Sequence, residues 1–327
     1  MDRLYFADTG GYIWRVDMKT NVDVSDGGDA SLTLNAQITQ FADLGAEAAG
    51  GTTSDGDRRK FFYEPDTALR LTNGVPKLTI SIGSGYRTHP MDTGDEDRFY
   101  VLLDENIYQA PGSGFTTITE SDLMTVTELR SSGKGSILNV AGKRGWYYPL
   151  QLNGEKALAT SLTFLDKVLF TTFAMADEHG VASVVEVCEP AVNTSRAYVL
   201  DLLTGQPVIN LDRETEVAGE GDTATITETK DDFLVAGFNE ILDTPQLIFS
   251  KLTDSSGGTC TVDSCQQSVS IRIGKLDIPI VDSGNSGGNA DSGFSGSVDL
   301  TEILPRLYWR DEDISGSQKL EGADSSD

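Results

Sequence analysis

Short runs of β-branched and aromatic residues, each ended by Gly, Asp, Asn or Pro, recur along the chain and constrain its fold more than any other feature. They are residues 4–7, 12–16, 60–63, 78–82, 98–103, 145–150, 157–164, 167–173, 196–201, 223–229, 233–236, 246–250 and 268–273. This rhythm is typical of strands joined by turns and not of helices. Glycine, at 34 of 327 residues, exceeds the usual share of roughly 7%. The sequence predicts an all-β protein, with one or two helical turns at Thr119 to Leu129, where Thr119 precedes Asp122 at capping-box spacing.

Three of the runs resemble one another, because each begins with Arg and ends near an Asp turn. They start at Arg3, Arg98 and Arg196 and reach Asp8, Asp104 and Asp201. A propeller blade is such a unit, since its sheet must stack on similar sheets to bury both faces. We therefore expect a β-propeller-like fold of four or five incomplete or irregular blades, with long acidic Gly/Ser-rich loops. A pair of β-sandwiches is the alternative.

Charge and composition limit the classes of partner. The chain carries 51 acidic and 25 basic residues, a formal charge of -26, so nucleic acid and anionic membrane surfaces are poor partners. No apolar stretch is long enough for a membrane-spanning helix. The basic run 58–60 is expected to pair with neighbouring carboxylates. Cys260 and Cys265 are expected either to form a small disulfide-bridged loop in an oxidising compartment or to remain free thiols, as is expected of Cys188.

The last part of the chain is expected to divide into three segments. Residues 282–296 read as a flexible Gly/Ser/Asn loop, and residues 311–327 as an acidic disordered tail. Between them, residues 301–310 contain Leu304, Leu307, Tyr308 and Trp309, which predict a returning strand that closes the body. Trp14, Trp146 and Trp309 are expected to pack between blades, as large aromatic residues commonly do in cores.

Four passages of the sequence resemble the C-terminal β-propeller of the PilY1/PilC family of type IV pilus tip proteins. The first two are residues 3–17 and residues 58–66. The third combines residues 82–90 with 97–100, and the fourth combines residues 145–147, 154–157 and 170–173. Residues 198–205 and 308–310 fit as well. The resemblance implies one propeller domain over residues 1–310, corresponding to the C-terminal part of a longer protein. It also implies an extracytoplasmic place at the pilus tip, cell surface or outer membrane.

The family resemblance further implies a role in pilus biogenesis and surface adhesion, with pilus minor subunits or a host or abiotic surface as partners. The family's calcium loop lies just before the strand that matches Arg3-Leu4-Tyr5, so Asp2 is the one residue here that matches its final ligand. A single carboxylate cannot supply the six to eight oxygen atoms that calcium prefers. A second candidate for calcium is the acidic cluster Asp92, Asp95 and Asp97, although it lacks EF-hand spacing.

Catalysis is not expected from the sequence. Ser286 lies in a G-x-S-x-G match, but the surrounding low-complexity loop lacks the strand and helix of a nucleophile elbow. Only His89 and His179 are available as a base, and neither lies in a recognisable setting. Two alternatives stay open. Residues 197–205 resemble a repeat of quinoprotein dehydrogenase propellers, which use pyrroloquinoline quinone, and a carbohydrate-binding propeller is the third class.

Overall fold

A computed structural model of the protein describes residues 2–24, 30–45, 59–72, 75–131, 142–176, 193–208, 216–218, 225–227, 232–249, 269–274 and 276–279. The all-β prediction is confirmed, because strands dominate these residues. The strands are β1 (Asp2–Ala7), β2 (Tyr12–Val24), β3 (Ala30–Asp43), β4 (Asp66–Thr72), β5 (Val75–Gly83), β6 (Arg98–Asp104), β7 (Ile118–Thr119), β8 (Met124–Thr125), β9 (Gly145–Pro149), β10 (Lys156–Ala157), β11 (Leu162–Phe164), β12 (Lys167–Ala174), β13 (Thr194–Asp201), β14 (Glu216–Ala218), β15 (Thr225–Thr227), β16 (Phe233–Phe238), β17 (Gln246–Phe249), β18 (Val269–Ile273) and β19 (Leu276–Pro279).

Four sheets of three to five strands follow one another along the chain. The first has the order β1-β2-β3-β7 and the second β4-β5-β6-β9-β8. The third has the order β10-β12-β13-β16, with β11 paired to β12, and the fourth β17-β18-β19. Neighbouring strands are antiparallel except for the short β3–β7 and β8–β9 pairs. Strands β14 and β15 form a separate hairpin.

The sheets stack face to face in chain order, and each seam between two sheets is an apolar core. The first seam joins the first and second sheets through Ile13, Phe41, Ile80, Ile82, Tyr100 and Leu102. The second seam joins the second and third sheets through Phe99, Val101, Trp146, Phe170 and Tyr198. The third seam joins the third and fourth sheets through Leu169, Val199, Ile271 and Ile273.

Strand β6 shows why these strands read as continuous apolar runs in the sequence. Its odd-numbered residues Phe99 and Val101 face the third sheet, and its even-numbered residues Tyr100 and Leu102 face the first. Successive side chains of a strand point to opposite faces, so a strand buried on both sides needs apolar residues at every position. Sheets covered on both faces are typical of propeller blades and differ from a two-layer sandwich, in which each sheet has one buried face. The structure is therefore propeller-like.

Several local predictions hold and others are corrected. The expected helical turns are a 3₁₀ turn at Glu120–Asp122 and helix α1 (Val126–Ser131), and the Asp122 carboxylate accepts a hydrogen bond from the Thr119 amide at 2.8 Å. Residues 60–63, predicted as a strand, are irregular. Strands β3, β4, β14 and β19 and the two-residue strands β7 and β8 were not predicted, because they are very short or because polar residues and Thr dilute their apolar pattern. Of the described helices, neither has the length or hydropathy needed to cross a bilayer.

Some predictions concern segments outside the described residues. They are the flexible loop 282–296, the tail 311–327, the returning strand 301–310 with Trp309, and the residues Cys188, Cys260, Cys265, His179 and Ser286. Trp146 is fully buried in the second seam, as expected for packing between blades. Trp14 is only partly buried; its indole nitrogen donates to Asp8 at 2.8 Å, and its ring stacks on the exposed Phe6.

Candidate functional site

The acidic cluster predicted from the sequence lies in the loop between β5 and β6, next to two lysines. Asp92 is exposed, and its carboxylate accepts a hydrogen bond from the Gly94 amide at 3.0 Å. Asp95 is buried and forms an ion pair with Lys60, whose Nζ lies 2.7 Å from Asp95 Oδ2. The expected pairing of the basic run with carboxylates is therefore present at Lys60.

Asp97 lies deepest in this loop. Its Oδ1 accepts a hydrogen bond from Ser84 Oγ at 2.6 Å, and its Oδ2 lies 4.0 Å from Lys156 Nζ. Within the described chain, Oδ2 accepts no hydrogen bond. Burial is the main cause that raises the pKa of Asp97 from 3.8 to about 6, against the opposing effects of Ser84 and Lys156. Burial also lowers the pKa of Lys156.

Two glycines bring Lys156 to this position. A Cβ atom on Gly83 would lie 2.2 Å from Ala157 Cβ, and one on Gly85 would lie 2.7 Å from the Ala157 carbonyl oxygen. Only glycine lets the end of β5 approach β10 this closely. The Ala157 amide then donates to the Ser84 carbonyl at 2.9 Å, which fixes Lys156 beside Asp97.

This arrangement does not fit calcium. Calcium needs several oxygen ligands around one point, whereas Asp95 and Asp97 each face a lysine ammonium group. Among the residues that the structure describes, no group of three His, Cys, Asp or Glu side chains is close enough to hold a metal ion. Asp2, the other predicted ligand, begins β1, and its side chain lies outside the described part. The calcium prediction stays a prediction, and comparing the Tm in calcium and in chelator tests it.

An exposed aromatic surface lies beside the same loop. We define it by Phe62, Tyr86, His89 and Met91. The rings of Phe62 and Tyr86 stack with centroids 5.8 Å apart, and the Tyr86 and His89 rings are 4.5 Å apart. Met91 is 60% exposed and Phe62 37%. Lys60 Nζ lies 4.7 Å above the Tyr86 ring, so the ion pair with Asp95 also anchors the aromatic surface. His89, predicted to be a loop or strand-end residue, is exposed here.

The Arg-to-Asp runs share a second feature that the structure explains. Each contains Arg, any residue and then Tyr, at residues 3–5, 98–100 and 196–198. Residues i and i+2 of a strand point to the same face, so each Arg and Tyr reach the same carboxylate. We call this arrangement the Arg-x-Tyr clamp.

The three clamps hold Asp104, Glu120 and Glu155. Tyr198 donates to Glu155 Oε1 at 2.7 Å, and Arg196 Nη1 lies 3.4 Å from Oε2. Tyr100 donates to Glu120 Oε1 at 2.5 Å, and Arg98 pairs with the other oxygen of the same carboxylate.

In the first clamp, Tyr5 donates to Asp104, and Arg3 Nη1 lies 3.9 Å from the same oxygen atom. Burial is the main cause that raises the pKa of Tyr5, Tyr100 and Tyr198, so these hydroxyls remain donors.

The first clamp is extended by Arg15, which is fully buried. Its guanidinium binds both oxygens of Asp17 at 2.7 and 2.9 Å and also pairs with Asp104 at the end of β6. Arg15 Nη2 also donates hydrogen bonds to the carbonyl oxygens of Asn106 and Gln109, each at 2.8 Å. A buried charge without its partner costs about 3–5 kcal/mol, so this network fixes the first sheet against the second.

Sequence reasoning missed the acidic partners of the clamps. The Arg-containing runs are visible in the sequence, but Glu120 lies in a 3₁₀ turn and Glu155 in a loop. These carboxylates are 20 and 43 residues away from the tyrosines that bind them. The repeated Arg-x-Tyr spacing was the available signal, since two donors on one strand face predict a shared acceptor.

No protein-family model and no curated protein matches this sequence. Among solved structures, the chain is similar to the crystal structure of the Pseudomonas aeruginosa PilY1 C-terminal domain, with a TM-score of 0.48 and 14% sequence identity. The alignment covers 84% of this chain and 56% of that one. The chain thus spans little more than half the length of that domain.

Proposed function

We propose that this chain is a non-catalytic binding domain of the type IV pilus machinery, acting outside the cytoplasm. The sequence resemblance of four passages to the PilY1/PilC family supports the proposal. Those passages lie in the first three sheets and the loops between them. The pilus components that it meets would be minor subunits, and adhesion to a host or abiotic surface is the second part of the proposed role.

The observation that carries the proposal is the convergence of two family-like passages at the aromatic surface. Phe62 comes from the passage 58–66, and Tyr86 and His89 come from the passage 82–90. Their rings contact one another on the outside of the protein. Exposed aromatic and Met side chains grouped in this way are typical of binding surfaces. Lys60, which is paired with Asp95, lies over the Tyr86 ring and holds this part of the surface in place.

A gene replacement in the organism that encodes this chain tests the pilus role and its assignment to the aromatic surface. Deletion should reduce the number of surface pili and the twitching zone. A Phe62→Ser/Met91→Ser double variant should reproduce most of that loss at wild-type protein level. Leu69→Ser is the matched control, because Leu69 is 57% exposed on β4, away from the aromatic surface. Normal pili after deletion would refute the pilus role. If deletion reduces pili and twitching but the double variant leaves both normal, the binding role of the aromatic surface is refuted and the pilus role is not.

The non-catalytic part of the proposal needs its own measurement. The quinoprotein alternative predicts that pyrroloquinoline quinone binds and supports dye reduction with alcohols or aldoses. We expect neither a change in the quinone absorbance spectrum nor dye reduction with the purified chain. A saturable spectral change with turnover would replace the binding proposal by an enzymatic one.

A carbohydrate ligand is the second candidate, because the stacked rings at Phe62 and Tyr86 offer the flat apolar face on which sugars stack. A glycan array with the full chain tests it directly. Binding that is lost in the Phe62→Ser/Met91→Ser variant and kept in the Leu69→Ser control would support a glycan as the adhesive target. Uniformly negative arrays would leave protein components of the pilus as the expected partners.

A further inference from the structure

The first sheet ends the stack with an apolar face that no described residue covers. We call it the outer face and define it by Leu4, Phe6, Trp14, Val16 and Ile38. Leu4 is 51%, Phe6 41% and Ile38 65% exposed. Leu4 lies opposite Val16, and Val16 lies opposite Ile38, so these residues form an apolar row across three strands.

A second row of the outer face lies one pleat further along. Phe6 lies opposite Trp14, and their rings stack with centroids 6.4 Å apart. The other face of the same strands carries Ile13, Arg15 and Phe41, which are buried in the first seam. The outer face thus has the composition of a seam between sheets, and an exposed apolar patch of this kind is typical of an interaction surface.

One segment of the chain has a matching pattern. Residues 306–311 read Arg-Leu-Tyr-Trp-Arg-Asp and repeat Arg-Leu-Tyr-Phe-Ala-Asp of residues 3–8. In an extended conformation, Ile303, Leu307 and Trp309 would share one face, and Arg306, Tyr308 and Arg310 the other. The segment is therefore amphipathic at strand spacing, and its second face carries the Arg-x-Tyr pattern of the three clamps.

The chain is long enough for this segment to reach the outer face. Residues 280–302 separate it from β19. A segment of that length extends to about 70 Å, and four sheets stacked at about 10 Å spacing measure roughly 30 Å from the first to the last. Gly, Ser, Asn and Asp dominate much of this connection.

We propose that residues 303–310 dock on the outer face of the first sheet, with Leu307 and Trp309 packed against Leu4, Phe6 and Ile38. Arg306 and Arg310 then face away from the apolar rows, on the solvent side of the docked segment. Docking covers the exposed end of the stack with the chain's own segment. This proposal does not depend on the pilus role, since it follows from the outer face and the sequence repeat.

Hydrogen exchange on the full chain tests the docking. The amides of residues 303–309 should exchange at least about tenfold more slowly than in an unstructured peptide, because docked backbone is protected. Ile38→Asp should abolish this protection. Leu69→Asp should preserve it, because Leu69 is similarly exposed but lies on β4 in the second sheet. Protection of β13 amides in both variants verifies that the body is folded.

Three results would overturn the proposal. The first is exchange of residues 303–309 at the unstructured rate in the wild-type chain. The second is equal protection in the wild type and in Ile38→Asp. The third is protection that rises with concentration as the chain becomes a dimer, which would assign the outer face to a second copy. In the reciprocal variant Leu307→Asp, we expect increased binding of an apolar dye to the exposed face, while Leu320→Asp should leave dye binding unchanged.

Discussion

Replacing Asp97 by Asn should change how the free energy of unfolding depends on pH. The pKa of Asp97 rises from 3.8 to about 6 in the folded protein because the carboxylate is buried beside Ser84. The folded state therefore binds this proton more tightly than the unfolded chain, and the contribution of Asp97 to stability falls as pH rises through this interval. A difference of about two pKa units corresponds to about 3 kcal/mol in total.

About half of that change in the free energy of unfolding falls between pH 5 and 7.5, where denaturant unfolding is readily measured. Between pH 5 and 7.5 the unfolded chain is already ionised at this position while the folded protein releases its proton, so wild-type stability should fall by about 1.4 kcal/mol relative to Asp97→Asn. Lys156 acts in the same direction. Without its carboxylate partner the pKa of this buried lysine falls further, which would make the variant more stable as pH rises.

Denaturant unfolding at several pH values, with wild type and variant compared in the same buffers, measures this difference. The exposed Asp92→Asn is the matched control in the same loop, because it removes the same charge without touching the buried Asp97 site. The reasoning is refuted if the free energy of unfolding of wild type, minus that of Asp97→Asn, stays constant or increases as pH rises.

Other predictions concern the clamps, the glycines and calcium. Tyr198→Phe removes a donor from the buried Glu155 and should lower the free energy of unfolding by about 1–3 kcal/mol in urea; an unchanged midpoint would show that the clamp contributes little. Gly83→Ala should destabilise by at least about 1–3 kcal/mol because its Cβ would meet Ala157 at 2.2 Å, whereas Gly112→Ala, with open space around it, should be nearly neutral. The Tm should be the same in calcium and in chelator, since lysines face the acidic loop; a calcium-dependent rise would contradict this prediction.

The sequence predicts the strands at the centre of the sheets better than those at the edges. β6 and β13 each carry an unbroken apolar run, Phe99–Leu103 and Ala197–Leu200, because both faces are buried there, and both strands were identified near their observed bounds. β3 and β4 alternate apolar residues with Thr, Gln and Arg, since one face or one end of each is exposed. Such strands have a weak signal, and tertiary pairing decides their conformation.

The candidate site was predicted in part for a similar reason. Acidic residues at 92, 95 and 97 are visible as a cluster, but their lysine partners lie on other segments, at positions 60 and 156. A sequence shows which charges are near one another along the chain, and only the folded backbone decides which opposite charge reaches them. Two of the three carboxylates that suggested a cation site, Asp95 and Asp97, therefore face the protein's own ammonium groups.

The chain-order stack has a consequence for how the protein is made. The first seam draws its buried residues from positions up to 123, the second from positions up to 202, and the third from positions up to 273. Each layer can therefore be completed as the polypeptide emerges, amino end first, from a ribosome or an export channel, without waiting for distant segments. Folding of this kind can proceed by accretion from the amino end, with each new sheet packing on the open face of the sheet made before it.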